Sequence, residues 1–380
     1  MQFSKIIGQS QVKERLIQTV KESRISHAQL FLGPEGCGKL ALALAYAQFI
    51  NCTGRAAESD DSCGTCSSCH KYSQLAHPDL HFVYPVAATK DVPKKPISKN
   101  FAAKWRELLV ERNAYIRLSH WYDTIGIENK QGIINADDCN EIIKTLSYKS
   151  YEAQYKVMII WMVEKLFHAA APKILKILEE PPEKTLFLLV AEEPGQIIST
   201  ILSRTQLVKI RRLSDEEIRS ALIKQHQIEP ASAHRATLTA NGNFIEALEI
   251  LSDENSDEYF VQFRQWMRLC FKLEVLAANE WISGIAKSGR EKQKAFFAHG
   301  LQVLRECLTV KIHGVDMVKR EGEEREFVIN FARTVNVKFI GEISEMLNEA
   351  SYHIERNANP GILFMDLSLK INKLLRSHKQ

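Results

Sequence analysis

An α/β domain built on a parallel sheet, followed by a long stretch made of helices alone, is what the sequence predicts, on three observations. The runs Ala28–Leu32, Lys156–Trp161 and Thr185–Val190 are short and almost continuously apolar, as strands buried on both faces of a sheet are. The last two each follow a helical stretch, and strands alternating with helices imply parallel pairing. From about Leu213 onward the apolar residues recur at helical spacing and no strand pattern is found. At 380 residues the chain exceeds one ordinary compact domain, so two or three are expected. A hydrophobic content of 45% with 25% charged residues is that of a folding chain and excludes wholesale disorder.

The first elements can be taken in order. Gln11–Glu22 is rich in helix formers, and Ala28–Leu32 runs as a buried strand into a glycine-rich turn. An alanine-rich, amphipathic helix then spans Leu40–Ile50. Strand, glycine turn and helix in this order open a phosphate-binding α/β unit. The turn itself, Gly33-Pro34-Glu35-Gly36-Cys37-Gly38-Lys39, matches G-x-x-x-x-G-K. In that motif glycines let backbone N–H groups turn toward phosphate oxygens and the lysine adds charge. The motif next requires Ser or Thr to hold Mg²⁺, and this chain has Leu40. Trp161-Met162 stands at the end of the strand where an active site of this class places Asp-Glu. Glu164 is two residues too far along to replace them, because such a slip moves a carboxylate by several ångströms. Hydrolysis by this chain alone is therefore not expected, while ATP binding through Gly33, Gly36, Gly38 and Lys39 stays open.

Cys52, Cys63, Cys66 and Cys69 give C-x10-C-x2-C-x2-C within eighteen residues. Four thiolates at this spacing close a tetrahedral site with the soft ligands Zn²⁺ prefers, and a closed Cys₄ site is structural. Four incidental reduced cysteines are the plainer alternative. His70 and His77 are left out of the ligand set because four cysteines complete it. Cys37, Cys139, Cys270 and Cys307 are isolated and read as ordinary buried residues. Thr89–Lys99, rich in Lys and Pro, reads as a surface loop or insertion. The net charge of +4 neither proves nor excludes a nucleic-acid partner. The start of the chain has no apolar run of signal-peptide length, and Val157–Val163 is far below a membrane span, so a cytoplasmic location is expected.

The rest is read as helical: a small unit over Leu213–Leu251 with a turn at Asn241-Gly242-Asn243, an acidic linker over Ser252–Asp257, and a larger segment to Gln380. The last helix begins after Asn359-Pro360 and carries Phe364, Leu367, Ile371 and Leu374 on one face. Lys319, Arg320 and Lys379 read as a solvated face.

Ile7-Gly8-Gln9, Ser26-His27-Ala28, the four-cysteine module, Leu175-Lys176-Ile177-Leu178-Glu179-Glu180-Pro181-Pro182 and Ile201-Leu202-Ser203-Arg204 together resemble the clamp-loader AAA+ subunits of bacterial DNA polymerase III. The resemblance spans most of the chain. It implies an AAA+ core over 1–212 with the zinc module at 52–69, a helical lid over 213–257, and an all-helical collar over 258–380 through which subunits assemble. Leu40, Trp161 and Met162 place the chain with the delta-prime class, which commonly lacks magnesium ligands, rather than with the gamma/tau-type ATPases. Ala191 and Glu192 stand where the ATPase subunits have phosphate-sensing threonines, and Ile245 where they have a lid arginine. The family's Ser-Arg-Cys motif appears as Ser203-Arg204-Thr205, and its arginine completes the ATP site of an adjacent subunit, so Arg204 is expected to act in trans. A helix cap or a surface ion pair is its plainer role. The implied partners are gamma/tau and delta subunits, the sliding clamp and primed DNA. An active gamma/tau-type ATPase and a stand-alone zinc-dependent nucleic-acid module are the alternatives; the first needs the missing ligands, and the second a basic stripe where Glu58, Asp60 and Asp61 stand.

Overall fold

The computed structural model describes all residues except 128–129, 253–255, 273, 316–317, 319, 321, 357 and 378–380. Most of the acidic segment 252–257, and Lys319 and Lys379, lie outside the residues or side chains described. The chain forms two compact units, one of residues 1–233 with 240–248, the other of residues 234–239 with 249–380.

The first unit runs α1 (Ser10–Lys21), β1 (Ala28–Leu32), α2 (Lys39–Ile50), α3 (Ser67–Ser73), β2 (Leu80–Val83), α4 (Ala102–Glu111), α5 (Leu118–Ile125), α6 (Ala136–Ser147), β3 (Lys156–Trp161), α7 (Ala171–Glu179), β4 (Thr185–Ala191), α8 (Ser199–Leu202), β5 (Gln206–Lys209) and α9 (Asp215–His226). Helix α10 (Pro230–Ala240) is shared between the units, and most of α11 (Phe244–Ser252) returns to the first. The sheet has five strands in the order β2-β3-β4-β1-β5, every neighbouring pair parallel. Strands β1, β3 and β4 fall where the apolar runs place them, and β3 and β4 are buried at every residue.

Strands β2 and β5 go beyond the sequence expectation. Both are four residues long and lie at the edges; β5 buries only Val208, so neither presents the apolar run that marks a central strand. Helix α2 corrects another expectation. All twelve of its residues are buried, so it has no polar face and is not amphipathic. Its alternating Ala and Leu side chains pack all round, as a helix enclosed by protein must.

The second unit is helical among its described residues: α12 (Ser256–Lys272), α13 (Val275–Ala286), α14 (Arg290–His313), α15 (Gly322–Thr334), α16 (Val337–Glu355) and α17 (Pro360–Ser377). Its core gathers Phe263, Trp266, Phe296, Phe297 and Phe364, with Phe297 and Phe364 stacked at 4.8 Å. As the stripe predicts, Phe364, Leu367 and Ile371 are buried and Leu374 packs against the same core. The Asn359 side chain caps α17 by accepting from the Ile362 N–H at 3.2 Å. Arg320 is not on a solvated face. It is sequestered between Glu306 at 2.8 Å and Glu324 at 2.7 Å with its side chain 7% exposed, so it serves as a buried ion pair. Among the described residues no helix is long and apolar enough to cross a membrane.

Candidate functional site: the phosphate loop, the cysteine module and Arg204

In an open parallel sheet the crevice at the carboxyl ends of the strands, where the strand order reverses, is the natural ligand site. The loop Gly33–Lys39 leaves β1 at that crevice, beside the ends of β3 and β4. Gly36 and Gly38 take φ of +72° and +84°, a backbone region that disfavours side chains, and this gives the loop its inward turn. The motif thus has its backbone form, but its interior is occupied by the chain itself.

The ammonium of Lys39 donates to the Pro34 carbonyl at 3.1 Å and to the Glu192 carboxylate at 2.7 Å. Glu192 follows directly on β4, so a protein carboxylate sits where the lysine of such a loop meets a phosphate. Tyr115 lies over Gly38, where an added Cβ would meet its hydroxyl oxygen at 2.8 Å, and that hydroxyl accepts from the Ile7 N–H at 3.0 Å. Asn243 presses on Gly36 so closely that an added Cβ would lie 1.7 Å from its amide oxygen. The Phe244 N–H donates to the Gly36 carbonyl at 3.3 Å, and Asn243 donates to Glu35 at 3.0 Å. Arg117 bridges Glu35 at 3.1 Å and Glu246 at 3.0 Å. What is left among Gly36, Gly38, Lys39, Leu40, Trp161 and Ile245 is a void of about 10 Å³. That is room for one water at most, far from the volume of a nucleotide.

The substituted positions converge here. Leu40, Trp161, Met162 and Ile245 are all buried, and none offers an oxygen to a cation. One oxygen of Glu164 is engaged by backbone: it accepts from the N–H of Glu192 at 2.8 Å and of Glu193 at 3.4 Å. Burial pushes its carboxyl pKa up, against the pull of those N–H groups. Tyr115, Arg117 and Asn243 were not among the sequence candidates. The first two follow a segment read as an insertion and the third belongs to the turn Asn241-Gly242-Asn243, and only the fold brings them to the glycines.

The cysteine module is assembled by the end of α2, a loop and the start of α3. Sulfur separations are 3.5 Å for Cys52–Cys63 and Cys52–Cys69, and 3.9 Å for Cys52–Cys66 and Cys63–Cys69. A tetrahedron with metal–sulfur bonds of about 2.3 Å has edges of about 3.8 Å, so the four can hold one metal ion. None is in a disulfide. The N–H groups of Cys63, Cys66 and Cys69 point at the preceding ligand's sulfur at 3.3–3.4 Å, which favours thiolates. A Cβ on Gly54 would come within 2.9 Å of the Cys63 sulfur, so the cradle needs a glycine there. His70 is exposed, and His77 packs against Tyr72 with ring centroids 4.8 Å apart; neither joins the cluster of four. Asp61 fastens the module by accepting from the N–H groups of Phe3 and Ser4 at 3.0 and 2.9 Å. The four isolated cysteines are buried, as expected.

Arg204 follows α8 with its side chain 34% exposed. Its Nε donates to Glu179 at 2.5 Å, a second guanidinium nitrogen also meets that carboxylate, and Nη1 donates to the Thr200 carbonyl at 3.1 Å. Both plainer roles are therefore present: a cap on a short helix and a partly exposed ion pair. Glu179 belongs to the Leu175–Pro182 segment, and His27 of Ser26-His27-Ala28 contacts the Leu178 carbonyl at 3.0 Å. Gln9 of Ile7-Gly8-Gln9 donates to the carbonyls of Cys37 and Arg211 at 3.3 and 2.8 Å, tying the chain start to the phosphate loop.

A five-stranded parallel sheet in this order, with a phosphate loop after β1 and a helical segment folded against that loop, defines an AAA+ domain. Residues 8–214, more than half the chain, match the family model described as DNA polymerase III, delta subunit, and the chain belongs to that clamp-loader family. Subunit delta' of DNA polymerase III from Bacillus subtilis (strain 168) is 29% identical over 253 residues, covering 66% of this chain and 60% of that protein. Subunit tau from the same organism is 27% identical over 256 residues, covering 66% of this chain and 37% of that protein. The match thus spans less than two thirds of either relative's length. Among solved structures, a DNA polymerase III gamma subunit-related protein from Thermotoga maritima covers 96% of this chain and 99% of its own at 15% identity, with a TM-score of 0.43.

Proposed function

We propose that this chain is a delta-prime-type clamp-loader subunit that does not itself hydrolyse ATP and that completes a neighbouring gamma/tau-type ATP site with Arg204. The observation that carries the reading is the Lys39–Glu192 pair closing a loop whose interior has shrunk to about 10 Å³. The similarity to both delta' and tau of one organism is common to the two classes, and the side chains at positions 40, 161, 162, 192 and 245 support the delta-prime reading. Leu40, Trp161, Met162 and Ile245 lack the oxygen or charge that metal-assisted phosphoryl transfer needs, and Glu192 engages the lysine that would meet the phosphate. The four cysteines hold Zn²⁺ in a structural role, the soft donor set and closed geometry being those of zinc. Residues 213–257 serve as the lid, and residues 258–380 as the collar that meets gamma/tau and delta subunits. The assembly places a sliding clamp on primed DNA.

Magnitudes permit Arg204 to act in trans. A partly exposed ion pair such as Arg204–Glu179 contributes about 0–1 kcal/mol. An arginine finger accelerates phosphoryl transfer by about 10³–10⁵. Leaving Glu179 for a neighbour's γ-phosphate therefore costs far less than the contact returns. The test is steady-state ATPase of the purified chain, alone and mixed with ATPase subunits and delta from the same organism. No turnover alone, DNA- and clamp-stimulated turnover on mixing, and loss of that stimulation with Arg204→Ala are expected; magnesium-dependent turnover by the chain alone defeats the reading.

A further inference from the structure

On the far side of the sheet from the phosphate loop lies a groove of about 550 Å³. Every residue from Pro78 to Tyr84 lines it. A groove on one face of a sheet touches alternate residues of a strand, so one touching consecutive residues runs along the strand's open edge. Strand β2 is that edge, paired to β3 alone. The Val157 N–H donates to the Asp79 carbonyl at 2.8 Å, so residues 79, 81 and 83 turn their peptide groups to β3, while those of Leu80 and Phe82 turn outward. The Leu80 N–H is taken by the His77 carbonyl, and the Tyr84 N–H by the Ser98 hydroxyl at 3.1 Å. The N–H and C=O of Phe82 and the C=O of Leu80 face the groove without a neighbouring strand. Helices α4 and α6 flank it, with the buried Trp105 and Ile142 beneath its floor.

The rim carries unequal charge. Of its three acids, Asp79 accepts from the N–H groups of Tyr151, Glu152 and Ala153 at 2.6–2.9 Å. Asp138 is taken by the N–H and hydroxyl of Ser98 at 2.7 and 2.9 Å, and Glu141 by Lys99 at 2.6 Å. Arg106, Lys144 and Lys149 are exposed around the same groove and leave a net positive rim. The Asp79 bonds also pin the loop that holds Tyr148 and Tyr151 at the groove, 63% and 81% exposed. Exposed tyrosines on a fixed loop supply contact area at little entropic cost.

From these features we infer that the open edge of β2 is a docking site for an acidic segment of a partner protein, bound in extended conformation as an added strand. Main-chain bonds to Phe82 supply register, apolar side chains pack on the half-buried Phe82 and Ala102, and carboxylates meet Arg106, Lys144 and Lys149. A main-chain edge is complemented by another main chain and not by a nucleic-acid backbone, so a peptide fits better than an oligonucleotide. The four residues of β2 give an edge of about 13 Å, enough to fix a short strand.

The probe is a fluorescein-labelled pool of octapeptides in which glutamate alternates with randomised apolar residues, read by anisotropy and by hydrogen exchange of the Phe82 amide in the full chain. Expected are saturable binding and slowed Phe82 exchange, with Gly33–Lys39 amides unchanged, and about a tenfold or greater loss in a variant carrying R106E, K144E and K149E. Those residues are exposed, so the variant folds, and circular dichroism verifies it. The same pool N-methylated on alternate residues is expected not to bind. The inference is overturned by no saturable binding up to about 1 mM, by equal binding of the N-methylated pool, or by a mixed-sequence single-stranded DNA displacing the peptides with the same sensitivity to the three substitutions.

Discussion

The phosphate loop and the cysteine module both announce themselves by spacing, yet they end differently. In the module all four named residues converge, with four of the six sulfur pairs 3.5–3.9 Å apart and all within 4.8 Å. In the loop the glycines and Lys39 are equally well placed, but side chains from four other segments fill the space they enclose. A metal cradle is satisfied by its own ligands. A phosphate loop, in contrast, is a backbone shape whose use depends on what the rest of the fold puts inside it. Spacing reports the first kind of site almost completely and the second kind only in outline.

Four changes sharpen or break this contrast. Cys66→Ser removes one of the four proposed zinc ligands and is expected to cost about 4 kcal/mol or more, with loss of zinc content, because structural zinc sites carry folding energy directly. Metal content by mass spectrometry and thermal unfolding check it; an unchanged melting temperature would mean the cysteines are incidental. Next in size, Glu192→Gln leaves the Lys39 ammonium, with its side chain 6% exposed, without its counter-charge. A loss of about 3 kcal/mol is expected, and inorganic triphosphate should slow unfolding of the variant but not of the parent. If triphosphate protects both equally, Glu192 is not what closes the loop.

Glu164→Gln tests the same crevice through pH. Burial raises the Glu164 pKa above the ordinary value of 4.5, so the folded state holds that proton more tightly than the unfolded one. The stability this supplies is present below the unfolded pKa and is lost as pH rises through the folded pKa. The glutamine variant should therefore gain on the parent as pH rises from about 4.5 in denaturant titrations. A difference independent of pH would sink the assignment. Smallest is Arg204→Ala, expected to change stability by less than about 1 kcal/mol because its partner Glu179 is 48% exposed. A larger loss would make it a structural residue first.

Much of this was legible in the sequence for identifiable reasons. Strands β1, β3 and β4 are central and continuously apolar, and the cysteine triplet has few physical explanations. Strands β2 and β5 were not, because an edge strand needs only a few buried positions: His81 and Phe82 are partly exposed, and Gln206, Leu207 and Lys209 are exposed. Arg320 carried no sign of its burial, since its partner Glu306 is fourteen residues away on α14. The closure of the loop was hidden for the same reason. Tyr115 and Asn243 are 77 and 207 residues from Gly38 and Gly36, the glycines they cover, and no local pattern encodes such a meeting.

The Lys39–Glu192 contact also has a meaning in binding thermodynamics. Glu192 is a competitor tethered to its own receptor, present at the effective concentration its attachment to β4 sets, and such concentrations reach the millimolar range or more. A nucleotide's apparent dissociation constant is its intrinsic one divided by the fraction of molecules in which the carboxylate and Tyr115 have withdrawn. The loop is a receptor permanently saturated by a ligand that cannot diffuse away, and its occupancy is indifferent to the nucleotide level around it until that level overtakes the tether.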